Sequence, residues 1–155
     1  MIDRRLAVLM GGMSTEREIS LQSGAAVADA LRSRGHDVVQ IDVGPDLPAR
    51  LRAEGVQVAR LALHGAFDED GCVKGRLEIM RIPHTGSGVR GSAIAMDKIT
   101  TKRLLKDTEV HLPVDAVWRR GEPRPGGLRY RVVDKAPDGG STIGIDICHS
   151  EAELL

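Results

Sequence analysis

The sequence predicts an α/β fold built on a doubly wound parallel sheet, and two observations predict it. Apolar runs of strand length alternate three times with helical patterns over the first eighty residues. The first of these runs, Leu6–Met10, meets a glycine pair, then hydroxyl and carboxylate side chains, then a helix start. The only Phe, Trp and Tyr are Phe67, Trp118 and Tyr130, so the core must be aliphatic.

Gly11-Gly12 lets the chain turn sharply after the first strand or approach a ligand closely. Thr15 and Glu18 have capping-box spacing, which predicts the helix start there and leaves Glu16 and Arg17 at the mouth of the turn. Ligands of open α/β sheets bind at such places, at the carboxyl ends of strands beside helix N-termini. An ordinary strand-to-helix connection would use the same residues. Ile19, Ser23, Ala26, Val27, Ala30 and Leu31 recur at helical spacing and predict the face that lies on the sheet, with Gly24 a close-packing point. Gly35 stops this helix. Asp37–Asp42 reads as a second strand, Gly44–Pro48 as a turn, Ala49–Glu54 as a short helix and Val56–Leu63 as a third strand. His64–Gly71 then lands on the same sheet edge as the opening turn, because both follow parallel strands.

Gly71–Met80 reads as a helix, Arg81–Thr85 as a short fourth strand and Gly86–Gly88 as a turn. Ser87–Met96 and Asp97–Lys106 are helical patterns, the second basic at Lys98, Lys102, Arg103 and Lys106. Leu112-Pro113 marks a seam that predicts domains over 1–112 and 113–155. Beyond it lie a strand-like run to Trp118, an exposed loop over Arg119–Gly127, strands at Arg129–Asp134 and Ile145–Cys148, and between them a glycine-rich turn over Asp138–Gly144. Ser150 and Glu153 have capping-box spacing, yet the sequence ends at Leu155. A helix that short is marginal, so the chain is expected to be a shortened form of something longer.

Lys plus Arg and Asp plus Glu number 22 each, giving zero formal net charge. That balance argues against a broad electrostatic nucleic-acid footprint, and the lack of aromatics against a base-stacking platform. Cys72 and Cys148 show no metal-type spacing and are predicted to be small buried thiols in a reducing compartment. No apolar stretch reaches membrane-spanning length and Met1–Arg5 lacks a signal-peptide core, so a cytoplasmic location without membrane partners is expected.

Several motifs carry chemistry. Gly86-x-Gly88-x-x-Gly91 fits the dinucleotide fingerprint literally, but follows the short fourth strand, and Glu109 falls at a helix end where the fingerprint wants a strand. His64 is either a hydrogen-bonded loop residue or a site residue beside the opening turn. Asp68, Glu69 and Asp70 could bind a cation, but they lack a fixed carbonyl or amide partner pattern and read rather as a solvated loop. The lysines of 98–106 form a solvated helix face, or one of them points at a phosphate. After Lys135, Gly139-Gly-Ser-Thr-Ile-Gly144 offers backbone amides, two hydroxyls and a nearby ammonium that suit phosphate oxygens, or a plain hairpin turn.

Taken together, Gly11-Gly-Met-Ser-Thr-Glu-Arg-Glu-Ile-Ser-Leu-Gln-Ser-Gly24, Ala62-Leu-His-Gly65 with Glu69-Asp-Gly71, Ile82-Pro-His-Thr-Gly-Ser-Gly88, and Ala95-Met-Asp-Lys98 with Thr101-Lys102 resemble the D-alanine–D-alanine ligases, a family of the ATP-grasp superfamily. Val132-Val-Asp-Lys135 and Gly140–Gly144 resemble that family's lysine strand and serine loop more loosely. The resemblance implies a pre-ATP-grasp domain followed by an incomplete α+β ATP-grasp central domain. It implies phosphorylation of one D-alanine carboxylate by ATP, then attack of a second D-alanine's amine on the acyl phosphate, for peptidoglycan synthesis. Carried over by resemblance, Glu16 holds the first ammonium with help from Ser141, the two forming the catalytic pair, and His64 lies near that substrate's carboxylate. Lys98 and Lys135 contact ATP phosphates, and Gly140, Ser141, Thr142 and Gly144 close over them. The family works with Mg²⁺ and pairs as a homodimer. Its magnesium ligands, adenine pocket and transition-state arginine lie beyond the serine loop, so little or no ligase activity is expected of these residues alone. The departures are Asp68 for a usual glycine, His84 for an aromatic, Ala136 for a proline, and a short segment between Pro113 and Val132. Two other readings stay open: a non-catalytic copy that binds D-alanine or a full-length ligase, and a dinucleotide-binding module.

Overall fold

A strand at the centre of a parallel sheet must be apolar on both faces, and β1 (Leu6–Met10) meets that demand. The computed structural model describes residues 4–67, 69–140 and 144–154. β1 lies between β2 (Val38–Asp42) and β3 (Val58–Leu61), giving the order β2-β1-β3. Leu6 is level with Val38 on one side and Val58 on the other, both pairings parallel. Ala7 and Leu9 point into one apolar cluster, Val8 and Met10 into another.

α1 (Arg17–Arg32) covers the Val8–Met10 face. α2 (Leu47–Ala53) and α3 (Cys72–Ile79) bring Leu47, Leu51, Val73 and Leu77 to the opposite face. The sheet is therefore doubly wound, as the alternation of strands and helices predicts. α2 begins two residues before its expected start, with Pro48 in its first turn, where proline's fixed φ suits the helix and its missing N–H is not needed.

The buried side of α1 matches the expected one only in part. Ile19 is 57 % exposed, and Ala26 and Ala30 face solvent. The buried residues are Ser20, Gly24 and Ala28, four apart, while Val27 and Leu31 of the expected face pack beside them against the Val8–Met10 cluster. A Cβ at Gly24 would stand 2.4 Å from the Cβ of Met10, so the helix lies against the strand through a stripe of small residues that hydrophobic periodicity does not register. The fourth strand also shrinks. Arg81–Thr85 contributes a single parallel bridge, His84 to Ala59. Pro83 has no N–H to give a ladder, and the Thr85 hydroxyl takes the Leu61 N–H at 3.1 Å.

The chain divides into two compact units, Met1–Ala93 and Ile94–Leu155, and the seam expected at 112/113 lies inside the second. The division falls within α4 (Val89–Met96). The second unit holds α5 (Lys98–Leu105), capped by Asp97 accepting the Thr100 N–H at 2.8 Å, and an antiparallel hairpin of β4 (Val132–Lys135) and β5 (Ile145–Cys148). The expected strand from Leu112 to Trp118 makes no ladder. In the loop that follows, the Trp118 indole donates to the Glu122 carbonyl at 2.9 Å, and the Arg124 guanidinium stands 5.6 Å from the indole centroid. The expected terminal helix is a single 3₁₀ turn, Glu151–Glu153, in which the Ser150 hydroxyl donates to the Glu153 carboxylate at 3.1 Å. Both cysteines are free; Cys148 is buried as expected, but Cys72 is exposed, because it opens α3 at the carboxyl edge of the sheet. Among the described residues, no helix is long and apolar enough to cross a membrane.

Candidate functional site

The turn after β1 is held from both sides by side chains of its neighbours. Gly11 has φ +72°, and a Cβ there would lie 2.1 Å from Asp42 Oδ1. The Gly11 N–H donates to Ser20 Oγ at 2.8 Å, and the Ser20 hydroxyl donates in turn to the Ala62 carbonyl at 2.8 Å. One buried hydroxyl thus joins the exits of β1 and β3. On the other side, the Gly12 N–H donates to Asp42 Oδ1 at 3.1 Å, and Asp42 also pairs with the Arg17 guanidinium. The expected Thr15–Glu18 capping box does not form. Glu16 is the N-cap of α1 without a side-chain cap bond, and the Glu16 N–H donates to Ser14 Oγ at 3.2 Å. Ser14, one residue before the expected cap, instead accepts the Glu16 N–H.

The loop after β3 meets this turn, as parallel strands require. The Ser14 hydroxyl donates to the His64 carbonyl at 2.7 Å. A Cβ at Gly65 would stand 2.8 Å from Glu16 Oε2, so the carboxylate lies directly against the Gly65 backbone. Glu16 and His64 are therefore brought to one edge of the sheet. His64 Nε2 stands 3.4 Å from Ser23 Oγ, whose proton goes to the Ile19 carbonyl at 2.9 Å. Toward the imidazole Ser23 acts only as an acceptor, which favours the proton on Nε2. A cleft of about 260 Å³ opens at the same edge, lined among others by Gly12, Ser14, Val43, Leu63, His64 and Phe67. Ligand pockets for drug-sized molecules run to roughly 300–1,000 Å³. This one suits something smaller.

Asp70 shapes the rest of the loop. Its carboxylate accepts the N–H groups of Phe67 and Cys72, both at 2.9 Å, and Phe67 is held at φ +74°. Burial alone would raise the Asp70 pKa, but the Cys72 and Phe67 amides outweigh it and hold the carboxyl below its ordinary value. The bond with Asp70, more than the slight desolvation of this exposed residue, pushes the Cys72 thiol up, so it is no ready thiolate. Because the folded carboxyl titrates lower than the unfolded one, its contribution to stability is full above the unfolded pKa and is lost as pH falls through the folded one. The Phe67 and Cys72 amide resonances are thus expected to hold their positions until pH drops below the ordinary carboxylate range, then shift together. Asp70→Asn removes that step from an NMR pH titration. Asp68 lies outside the described residues, and among those described no three metal-ligating side chains gather.

The residues expected on the phosphate side lie in the second unit. Lys98 opens α5, and its ammonium donates to the carbonyls of Gly139 and, at 3.4 Å, Pro137. Lys98 and the loop leading to Gly140 are thereby brought together. Lys135 closes β4 and is exposed, and Gly144 precedes β5. Ser141 and Thr142 lie outside the described residues. The dinucleotide fingerprint lacks its structural frame: only the single bridge at His84 precedes it, and Glu78 Oε1 faces the Val89 N–H at 3.4 Å. A carboxylate stands where a pyrophosphate would need a free amide.

Sequence reasoning missed Ser14, Ser20 and Asp42 as the residues that hold the turn. The one signal for Ser14 is a short hydroxyl residue just after a glycine pair, and for Asp42 an acidic residue closing an apolar strand.

No family model matches the chain. The D-alanine–D-alanine ligase of Syntrophotalea carbinolica is 51 % identical over 152 residues, which cover 97 % of this chain and 50 % of that relative. That of Geobacter sulfurreducens is 49 % identical over 153 residues, covering 97 % and 48 %. The crystal structure of D-alanine–D-alanine ligase from Bacillus anthracis matches with a TM-score of 0.85 at 31 % identity, over 97 % of this chain and 51 % of that one. The same enzyme complexed with ATP matches at 0.79 and 30 %, over 97 % and 52 %. The chain spans about half the length of the curated relatives it matches. Over that half, in sequence and in fold, it is similar to the D-alanine–D-alanine ligases.

Proposed function

We propose that this chain provides the amino-acid-recognition part of an ATP-dependent D-alanine–D-alanine ligase. The observation that carries the reading is the meeting of the β1 and β3 exits, where the Glu16 carboxylate lies against Gly65 and the neighbouring His64 and Ser14 line a small cleft. A half-buried carboxylate suits the ammonium of a first D-alanine, since pairing away from bulk water is only weakly screened. His64 lies at the same edge of the sheet, and a protonated imidazole there would attract that substrate's carboxylate. Lys98, Lys135 and the loop from Gly140 to Gly144 supply ammonium groups and backbone amides of the kind that suit phosphate oxygens, and so would hold the phosphates of ATP. Bound there, ATP supplies the phosphoryl group that activates the carboxylate for attack by a second amine. Among the described residues, no three His, Cys, Asp or Glu side chains gather as a metal cluster.

The test is a calorimetric or NMR titration of the chain with D-alanine. Glu16→Gln keeps the shape and removes the charge, and is expected to weaken binding by roughly 10- to 100-fold, the usual worth of a hydrogen bond to a charged group. Equal affinity of Glu16→Gln and the parent chain would overturn the reading, and so would a parent chain that binds no D-alanine.

A further inference from the structure

We infer that Ser14 is a positioning residue of this site: its single hydroxyl fixes the segment carrying Glu16 against the loop carrying His64. The inference rests on the reading of Glu16 and His64 as the D-alanine site. A serine hydroxyl has one proton and two lone pairs. Here the proton goes to the His64 carbonyl at 2.7 Å, and a lone pair receives the Glu16 N–H at 3.2 Å. One atom therefore binds the backbones of both residues across fifty positions of sequence. Ser14 also stands close to Gly65, where a Cβ would lie 3.3 Å from the Ser14 Cβ. Spacing between the two recognition groups is set where these contacts are made.

Ser14 is separable from the scaffold. Ser20 already joins Gly11 to Ala62, and Asp42 already holds Gly12, both one step nearer the sheet. Removing the Ser14 hydroxyl leaves those ties in place. It loosens residues 14–16 and 64–65 relative to each other without loosening the strands beneath them. Telling one enantiomer of alanine from the other needs an ammonium partner and a carboxylate partner at a fixed separation, so that the methyl group can fit on one side only. A site whose two partners drift accepts both hands.

NMR titration of the full chain with D-alanine and with L-alanine tests this, on the parent, Ser14→Ala and Ser14→Thr. Ser14→Ala is expected to raise the Kd for D-alanine about tenfold, in line with losing one hydrogen bond near a charged group. The ratio of D- to L-alanine affinity should fall toward one while Tm stays within a few degrees of the parent. Ser14→Thr keeps the hydroxyl and should recover most of both affinity and selectivity. An unchanged ratio in Ser14→Ala overturns the inference while leaving the Glu16 reading intact. Parallel loss of Tm and affinity in both variants also overturns it, because the residue is then structural. A parent chain that binds neither enantiomer removes the site reading itself, and the inference with it.

Discussion

Ser20→Ala is expected to destabilise the first unit by on the order of 3 kcal/mol, measured by urea denaturation. Ser20 is fully buried, and its hydroxyl serves one donor and one acceptor, the Gly11 N–H and the Ala62 carbonyl. Alanine leaves both backbone groups in an apolar setting with no partner, and each unsatisfied group costs about 1–3 kcal/mol. The methyl fills most of the vacated space but satisfies neither. Ser23→Ala is the comparison: Ser23 is half exposed and donates to a carbonyl of its own helix, so water replaces what is lost. An effect of Ser20→Ala no larger than that of Ser23→Ala would show that the joint between the β1 and β3 exits carries little of the stability.

Gly11→Ala is the second large effect, expected at about 2–4 kcal/mol. The left-handed backbone at φ +72° accounts for about 1–2 kcal/mol of this in any L-residue. The remainder is collision. A Cβ placed 2.1 Å from Asp42 Oδ1 forces the carboxylate aside, and with it the Gly12 N–H bond and the Arg17 pair. Gly35 separates the two contributions, since it too has a positive φ, +81°, but a Cβ there meets nothing within 4 Å. Gly35→Ala should show the backbone cost alone. Equal losses at the two positions would mean that Asp42 moves freely and does not lock the turn.

The sheet was legible in the sequence because a central parallel strand leaves a plain record, an unbroken apolar run such as Leu6–Met10. The meeting of Glu16 and His64 was legible for the same reason: parallel strands send their exits to one edge. What escaped were features whose cause lies elsewhere in the chain. The buried stripe of α1 adds Ser20 and Ala28 to the expected close-packing point at Gly24, and these two small residues carry no hydrophobic signal. The fourth strand failed because Pro83 and Thr85 divert hydrogen bonds that an apolar pattern takes for granted. Ser14, Ser20 and Asp42 were illegible as turn-holding residues, since each finds a partner across the sheet and a polar residue near a turn reads as solvated. The roles proposed for Lys98 and Lys135 rest on the family motifs; local sequence left a solvated helix face and a hairpin turn as open as phosphate binding.

The lone indole gives the molecule a lopsided optical signature. Trp118 and Tyr130 both belong to the second unit, where Trp118 lies under Arg124, and the first unit has Phe67 as its single aromatic. Intrinsic fluorescence therefore follows residues 94–155 and is blind to the parallel sheet, whose melting registers only in backbone circular dichroism. Two probes on one sample thus separate the two units without a label, and a substrate that quenches no emission can still be bound.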